Sequence, residues 1–249
     1  MNITKGKQSR AQKVVIYGPE GIGKTTLASQ LPDPLFLDLE DGSATMDVRR
    51  VSDIQTWQQL GEVLVELIHD PSICKTVVID TADKAEALAT EAICEEKKIS
   101  SIEDPGYGKG YTYLAERMAS LISTLGLLVK KGVNVVIIAH AAMRKFEQPD
   151  EMGAYDRWEL KLQKKVAPLL KEWADMVLFL NYKTKVIKSE KSGSTKAKGG
   201  ERVIYASHHA CWDAKSRHGL PDEFPMSYDI IKPIFEEASN GDNDPKDNL

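Results

Sequence analysis

The stretch Lys13–Leu31 restricts the possible folds of this chain more than any other segment. It reads KVVIYGPEGIGKTTLASQL, which is a short apolar strand, a glycine-rich loop and the start of a helix. The loop fits the pattern G-x-x-x-x-G-K-[ST] without a mismatch, at Gly18, Gly23, Lys24 and Thr25. Glycines let successive backbone N–H groups face inward, and the N-terminus of the following helix points at the same place. The segment therefore predicts a phosphate-binding loop for a nucleoside triphosphate.

Each part of this loop has an expected role toward the triphosphate and Mg²⁺. Lys24 supplies a positive charge to the β- and γ-phosphates, and the Thr25 hydroxyl can reach the metal ion. The alternative is a chance glycine turn, but the strand before the loop and the helix after it argue against that reading. The residues expected to bind the nucleotide are Gly18, Pro19, Glu20, Gly21, Ile22, Gly23, Lys24, Thr25 and Thr26.

Three later strands are followed by polar side chains that suit a phosphate site. Glu40 comes after Leu35–Leu39, Asp80 ends the β-branched run TVVID, and His140 follows VNVVIIA. Ligands of open α/β sheets bind at the carboxyl ends of the strands. Asp80 is expected to hold Mg²⁺ as the Walker B aspartate, with a helix N-cap as the alternative role. Glu40 could instead belong to a solvated acidic loop, and His140 could either donate toward a γ-phosphate or only occupy a strand end.

The composition is typical of a soluble globular protein, with 249 residues of which 42% are hydrophobic and 28% charged. A net charge of −4 gives no overall attraction to nucleic acid, so any basic surface must be local. The three cysteines are widely spaced and form no metal-binding or disulfide pattern, which suits a reducing cytoplasm. We find no secretory signal and no apolar run of membrane-spanning length, and expect a cytoplasmic protein without a membrane partner.

Strands that alternate with helices after the loop predict an α/β fold with a largely parallel central sheet flanked by helices. A β-hairpin is expected near the C-terminus, where residues 184–189 and 202–207 pair around the Gly/Ser/Lys-rich segment 190–201. The expected organisation is a flexible leader at 1–12, one ATPase domain at 13–238 and a disordered acidic tail at 239–249.

Two basic segments are candidates for contact with single-stranded DNA. Residues 141–158 lack a clean periodicity and place basic groups among Phe146, Tyr155 and Trp158, a combination that suits phosphates and bases. Acidic residues in the same segment favour the alternative of a solvated loop. Residues 183–202 hold seven basic and two acidic side chains, and a solvated hairpin is again the alternative. The proposed DNA contacts are Arg144, Lys145, Arg157, Lys161, Lys164 and Lys165.

The order of the acidic residues distinguishes among classes of P-loop protein. A glutamate at the end of the strand just after the P-loop helix, as Glu40 is, resembles the RecA-type ATPase core. In AAA+ proteins the glutamate would directly follow the Walker B aspartate, where this chain has Thr81. A small-molecule kinase would show an arginine-rich lid, which we do not find.

The resemblance extends to the phage RecA-core single-strand annealing proteins of the Sak class, over residues 13–237. It rests on FLDLEDG, VVIDT, NVVIIAH, YDRWELKL, LLKEWADMVLF and DAKSRHGLP. It implies that Glu40 is the catalytic base, Asp80 the Mg²⁺ group and His140 the γ-phosphate sensor. Lys215 and Arg217 match the Lys-x-Arg pair that RecA-type motors insert into the next subunit's ATP site. The leader is too short for the N-terminal polymerisation element of RecA, so ring and filament both stay open.

These observations predict an ATP- and Mg²⁺-dependent recombination or annealing protein that binds single-stranded DNA and hydrolyses ATP at a site shared between subunits. The expected partners are single-stranded DNA, further copies of the chain and a single-strand-binding protein, in the cytoplasm of a bacterial host. The alternative is a P-loop ATPase that acts on a protein partner, such as a replication loader or regulator, without direct DNA binding. A small-molecule kinase is disfavoured by the Lys-x-Arg pair, and a non-enzymatic nucleotide switch by Glu40.

Overall fold

A computed structural model of the chain describes residues 5–6, 10–148, 153–188 and 195–239. The strands are β1 Lys13–Gly18, β2 Pro34–Asp38, β3 Arg49–Val51, β4 Thr76–Asp80, β5 Asn134–Glu147, β6 Ala154–Leu160, β7 Met176–Lys188, β8 Thr195–Tyr205, β9 Lys215–Ser216 and β10 Glu223–Pro225. The helices are α1 Lys24–Ala28, α2 Trp57–His69, α3 Ala82–Lys97, α4 Lys109–Lys130, α5 Ala167–Trp173 and α6 Lys232–Ser239.

The central sheet has the strand order β10-β8-β7-β1-β5-β4-β2-β3. The pairings from β3 through to β7 are parallel. The antiparallel additions are β8 on β7, β10 on β8, β6 on β5 and β9 on β7. The predicted α/β fold is therefore confirmed, and the parallel strands bring the P-loop, Glu40, Asp80 and His140 to one edge of the sheet.

Two hydrophobic cores cover the two faces of the sheet, because successive side chains of a strand point in opposite directions. On β1, Val15 and Tyr17 pack into the core formed with α2, α3, α4 and α5. Val14 and Ile16 pack into the other core, which includes side chains of α1 and α6. Burial on both faces explains why the parallel strands read as continuous apolar runs.

Helix α2 illustrates how local sequence sets the boundary of an element. Thr56 accepts a hydrogen bond from the Gln59 backbone N–H at 3.2 Å, and the Gln59 side chain accepts from the Thr56 N–H at 3.0 Å. This capping box starts the helix at Trp57. Leu60, Leu64 and Leu67 then lie on one buried face, as the periodicity predicts.

The segment after His140 differs from its sequence-based description. The sequence predicts an irregular loop at 141–158, whereas β5 continues to Glu147 and pairs with β6 from Ala141–Leu160 to Glu147–Ala154. Charged residues on both strands hide the alternation of polar and apolar residues that is typical of a strand. Cross-strand pairs between β5 and β6 stabilise the two strands despite this composition. Residues 149–152 at the tip lie outside the described residues.

The predicted C-terminal hairpin is present as β7 and β8, and both strands are longer than expected. The first hairpin strand is the end of a longer strand, because β7 runs without interruption from Met176 to Lys188. Residues 189–194, at the start of the Gly/Ser/Lys-rich segment, lie outside the described residues, as do 1–4 and 7–9 of the predicted leader and 240–249 of the predicted tail. Residues 10–12 do not behave as a leader: Ala11 and Gln12 are buried, and the Gln12 N–H donates to Asn134 Oδ1 at 2.8 Å.

Within the described residues, no helix is both long and apolar enough to cross a membrane.

Phe179 anchors the P-loop strand to the antiparallel half of the sheet. Its ring is fully buried, with centroids 4.8 Å from Tyr17 and 5.9 Å from Tyr205. We expect Phe179→Ala to lower the free energy of unfolding by about 3–5 kcal/mol, because it leaves a cavity among aromatic rings. The control is Met143→Ala, at a side chain 54% exposed, with an expected change within about 0.5 kcal/mol. Urea unfolding measures both, and equal losses would contradict the role given to Phe179.

Candidate nucleotide site

The phosphate loop joins the carboxyl end of β1 to the start of α1. Gly21 and Gly23 adopt φ of 69° and 105°, a left-handed region that favours glycine. The Lys24 ammonium donates to the carbonyl oxygens of Gly18 and Pro19, each at 3.0 Å, so its side chain folds over the loop. Burial lowers the pKa of Lys24, and the nearby Asp80 carboxylate acts in the opposite direction. The loop thus holds a partly desolvated cation where phosphates would lie.

Thr25 and Asp80 form the second part of the site. The Thr25 hydroxyl donates to Asp80 Oδ2 at 2.8 Å. Burial raises the pKa of Asp80 to about 6, while the bond from Thr25 acts against this shift. A carboxylate beside a hydroxyl is a hard-oxygen donor pair, which fits Mg²⁺ in a site completed by phosphate and water. The alternative N-cap role falls to Thr81, whose side chain accepts from the Lys84 N–H at 3.3 Å.

Glu40 lies beside Thr81, the residue that follows Asp80. Its Oε1 accepts from the Thr81 hydroxyl at 2.9 Å. The turn that follows β2 and contains Glu40 is held by Asp38. The Asp38 carboxylate accepts hydrogen bonds from the backbone N–H groups of Gly42 at 3.1 Å and Ser43 at 2.9 Å. Strands β2 and β4 pair in the register Asp38–Asp80, which brings the two acidic strand ends together. The Glu40 carboxylate, which follows β2, thus lies next to Thr81, which follows β4.

His140 lies level with Gly18 in the β1–β5 pairing, at the same sheet edge. Its backbone N–H donates to Asp83 Oδ2 at 2.9 Å, and its Nδ1 lies 3.6 Å from Asp83 Oδ1. The hydrogen bond with Asp83 raises the pKa of His140, although burial opposes it. Asp83 was not among the site residues predicted from the sequence. It could have been found as a second carboxylate after Asp80, in the first turn of the helix that follows.

The structure separates Lys215 and Arg217 from the phosphate loop of their own chain. Strand β9 pairs with the amino end of β7, in the register Val177–Lys215, whereas the loop lies at the carboxyl edge of the sheet. Through the β1–β7 pairing Lys215 lies level with Val15, three residue steps or about 10 Å from Gly18 along the strand direction. Arg217 lies level with Lys13, five steps or about 16 Å from Gly18. Neither side chain therefore belongs to the phosphate site of its own subunit.

Arg217 is held by a buried carboxylate that no sequence pattern singled out. Its Nη1 lies 2.9 Å from Oδ1 of Asp175, whose side chain is 2% exposed. The same oxygen lies 2.6 Å from Arg10 Nη2 and 3.8 Å from Lys13 Nζ. Three cations around one carboxylate leave this edge of the molecule with excess positive charge.

The Arg157 side chain is buried and paired within its own chain, which argues against the DNA contact predicted for it. The residue is 7% exposed, its guanidinium is paired with the Asp213 carboxylate, and it lies 4.9 Å from the centre of the Phe146 ring. Asp213 also accepts from Lys171 at 2.7 Å, and its backbone carbonyl accepts from the Tyr17 hydroxyl at 2.5 Å. Arg157 therefore ties β6 to the segment before β9.

The other predicted DNA contacts remain at or near the surface. The Arg144 guanidinium is partly engaged, because it donates to the Leu162 carbonyl at 2.7 Å and lies 3.7 Å from Glu159. Lys165 donates to the Thr112 hydroxyl at 2.8 Å and is otherwise exposed. Lys145, Lys161 and Lys164 are exposed.

A groove of about 580 Å³ lies between α2 and α4, lined by Trp57, Leu60 and Leu64 among others. None of its lining residues belongs to the phosphate loop or to the strand ends that carry Glu40, Asp80 and His140. The groove is therefore separate from the candidate phosphate site.

The loop, the Thr25–Asp80 pair and Glu40 beside Thr81 define the core of a P-loop ATPase. The chain belongs to the family described as AAA domain, whose AAA_24 model matches residues 10–218. The match supports a P-loop ATPase and is not specific for the Sak class.

Two curated relatives show partial similarity. The SPbeta prophage-derived uncharacterized protein YorG of Bacillus subtilis (strain 168) is 27% identical over 186 residues, covering 72% of this chain and 53% of that protein. The replication factor C large subunit of Sulfurisphaera tokodaii is 34% identical over 95 residues, covering 36% of this chain and 21% of the relative. The chain thus spans about half and about a fifth of the lengths of these relatives.

Proposed function

We propose that this chain is an ATP-dependent, single-stranded-DNA-binding recombination or annealing protein that hydrolyses ATP at a site shared between subunits. The observation that carries the proposal is the position of Lys215 and Arg217 at the sheet edge opposite their own phosphate loop. Basic side chains held at such an edge suit the ATP site of an adjoining copy in a ring or filament. The motifs of the Sak class and the similarity to a prophage-derived protein agree with it.

The residues at the phosphate loop have distinct roles in this proposal. Lys24 binds the β- and γ-phosphates. Glu40 orients a water molecule and accepts its proton as that water attacks the γ-phosphorus, while the bond from the γ-phosphorus to the bridging oxygen breaks and ADP leaves with that oxygen. His140, held by Asp83, donates a hydrogen bond toward a γ-phosphate oxygen. Thr25 and Asp80 would hold Mg²⁺, which would neutralise charge on the phosphate oxygens. From the adjoining subunit, Lys215 and Arg217 stabilise the charge that develops on the transferred phosphoryl group.

The proposed DNA surface begins immediately after His140. Strand β5 runs from His140 to exposed Lys145, and Lys161 and Lys164 follow the partner strand β6. A γ-phosphate bound at His140 would therefore act on the same β5–β6 hairpin that carries the basic surface, and its loss would change the position of that surface. Arg157 has a different role, since it anchors this hairpin to Asp213.

The double substitution Lys161→Gln and Lys164→Gln tests the DNA surface. We expect weaker binding to a labelled oligonucleotide, and a slope of log affinity against log salt that is reduced by about 0.7 for each phosphate that is no longer neutralised. Fluorescence anisotropy at several salt concentrations measures both quantities. The matched control is Lys130→Gln with Lys131→Gln, two exposed lysines at the end of α4.

Two outcomes would contradict the DNA assignment. One is the absence of binding by the parent protein even at low salt. The other is an equal loss of affinity in the control, which would indicate a diffuse charge effect and no defined surface.

A second candidate function is that of an ATPase acting on a protein partner, such as a replication loader or regulator. The similarity of 95 residues to a replication factor C large subunit favours it. In this case the ATPase rate is indifferent to single-stranded DNA and rises with a protein partner. Measuring the ATPase rate with and without DNA, with the oligomer size read in parallel, separates the two candidates.

A further inference from the structure

The guanidinium of Arg202 lies against the phosphate loop of its own chain. A methyl group placed on Gly23 would lie 3.3 Å from Arg202 Nη1 and 2.9 Å from Met226 Cε. Gly23 is the residue directly before Lys24, where the loop becomes α1. A cation therefore reaches the loop from an element far away in the sequence.

Backbone pairing fixes this approach. Strand β7 runs parallel to β1 as far as Tyr17–Phe179, then continues past the loop to Tyr182, which pairs with Arg202 on β8. The contact between the strands is close, since a methyl group on Gly18 would meet the Leu180 carbonyl oxygen at 2.3 Å. The Met226 N–H donates to the Arg202 carbonyl at 3.0 Å, so the two residues whose side chains approach Gly23 are held next to each other.

The charge of Arg202 is not used by a neighbouring carboxylate. Among the described residues, no acidic side chain forms an ion pair with it, and the nearby Glu223 pairs with Lys183. Glu201 precedes Arg202 on β8 and therefore points to the opposite face of the strand. The arginine is exposed and lies where nucleotide phosphates would approach the loop.

We propose that Arg202 is a nucleotide-binding residue that contacts the α- or β-phosphate of ATP or ADP in its own subunit. Backbone N–H groups of a P-loop cradle these two phosphates, and Gly23 belongs to that cradle. The planar guanidinium suits paired hydrogen bonds to phosphate oxygens. This inference rests on the proposed function only in that a nucleotide binds at the loop. It removes Arg202 from the basic segment 183–202 considered for DNA.

The contact also gives the hairpin a link to the nucleotide. Arg202 lies on β8 and pairs with Tyr182 on β7, directly before Lys183. A bound nucleotide would therefore hold this part of the hairpin through Arg202, and its release would free it.

The test is nucleotide affinity in Arg202→Gln and Arg202→Lys, titrated with fluorescent mant-ADP and mant-ATP on the full chain. We expect Arg202→Gln to weaken both nucleotides by the same factor, about tenfold or more, because a hydrogen bond to a charged group is removed. Arg202→Lys should recover part of the affinity, since it keeps the charge without the planar fork. Lys183→Gln is the control, because it removes another cation of the hairpin while leaving Arg202 in place.

The outcomes separate this inference from the site itself. Unchanged affinity in Arg202→Gln, while Lys24→Ala abolishes binding, overturns the Arg202 contact and leaves the phosphate loop intact. A loss confined to mant-ATP overturns a contact with the α- or β-phosphate, and an equal loss in Lys183→Gln overturns a specific one. Normal binding by Lys24→Ala would instead contradict the loop. An unchanged Tm without nucleotide confirms that each variant is folded.

Discussion

Replacing Glu40 by glutamine is expected to lower the ATPase rate by roughly 10²–10⁴-fold, the usual contribution of a general base. The Glu40 carboxylate accepts from the Thr81 hydroxyl at 2.9 Å, and a glutamine carbonyl can accept the same bond. The substitution therefore removes the proton acceptor while it preserves the shape of the site. Affinity for mant-ATP should stay at the parent value, because Lys24 and the loop amides are unchanged. Phosphate release and nucleotide titration measure the two effects separately.

The control for this substitution is the neighbouring carboxylate Asp41. Asp41 has φ of 55°, a conformation that asparagine tolerates well, so Asp41→Asn removes a charge without backbone strain. We expect its ATPase rate to stay close to that of the parent protein. An undiminished rate in Glu40→Gln, or an equal loss in Asp41→Asn, would show that Glu40 is not the base.

The second large effect is expected from Arg217→Ala, with a fall in ATPase rate of roughly 10³–10⁵-fold, as for other arginine fingers. Arg217 is paired with Asp175 at the amino end of β7, away from its own phosphate loop. Each variant subunit therefore keeps a complete loop and should bind mant-ATP normally. Arg10→Ala is the matched control, because it removes another cation from the same Asp175 oxygen and leaves the Lys-x-Arg pair intact.

A mixture of subunits tests whether Arg217 acts on an adjoining copy. Glu40→Gln subunits carry an intact Arg217, and Arg217→Ala subunits carry an intact Glu40. If the site is shared, mixing the two inactive proteins should restore turnover at the interfaces that combine both intact residues. Turnover that stays at the level of the separate variants, or normal activity in Arg217→Ala alone, rejects the shared site.

The predictions that the structure supports most directly depend on neighbours in the chain. The spacing of Gly18, Gly23, Lys24 and Thr25 is covalent, so a loop pattern can be recognised before anything is known of its surroundings. Asp80 and His140 follow continuous apolar runs, and parallel pairing necessarily aligns the ends of such strands. The alignment of residues at one sheet edge thus followed from local pattern and strand direction. Their chemical roles remain predictions that the substitutions test.

The failures share a different cause. The charge of Arg157 among aromatic residues indicates a DNA contact, yet Asp213, distant in sequence, buries and pairs it. The two strands within 141–158 were not predicted, because β5 and β6 stabilise each other in a hairpin. The periodicity of a single sequence does not show which strands pair. The N-cap alternative for Asp80 is a different case, because α3 starts at Ala82 and Thr81 is its cap, which leaves the favoured prediction for Asp80 in place.

By itself, the sequence determined that this chain forms a P-loop followed by buried parallel strands, because loop geometry and strand burial depend on adjacent residues. Only the tertiary structure decided which side chains from distant parts of the sequence contact the P-loop and its strand. Arg217 reaches Asp175, and Arg202 reaches Gly23, because the antiparallel strands β9 and β8 pair with β7 near the two ends of the loop strand β1. Such contacts depend on the register of strands far apart in the chain, and no local pattern encodes that register.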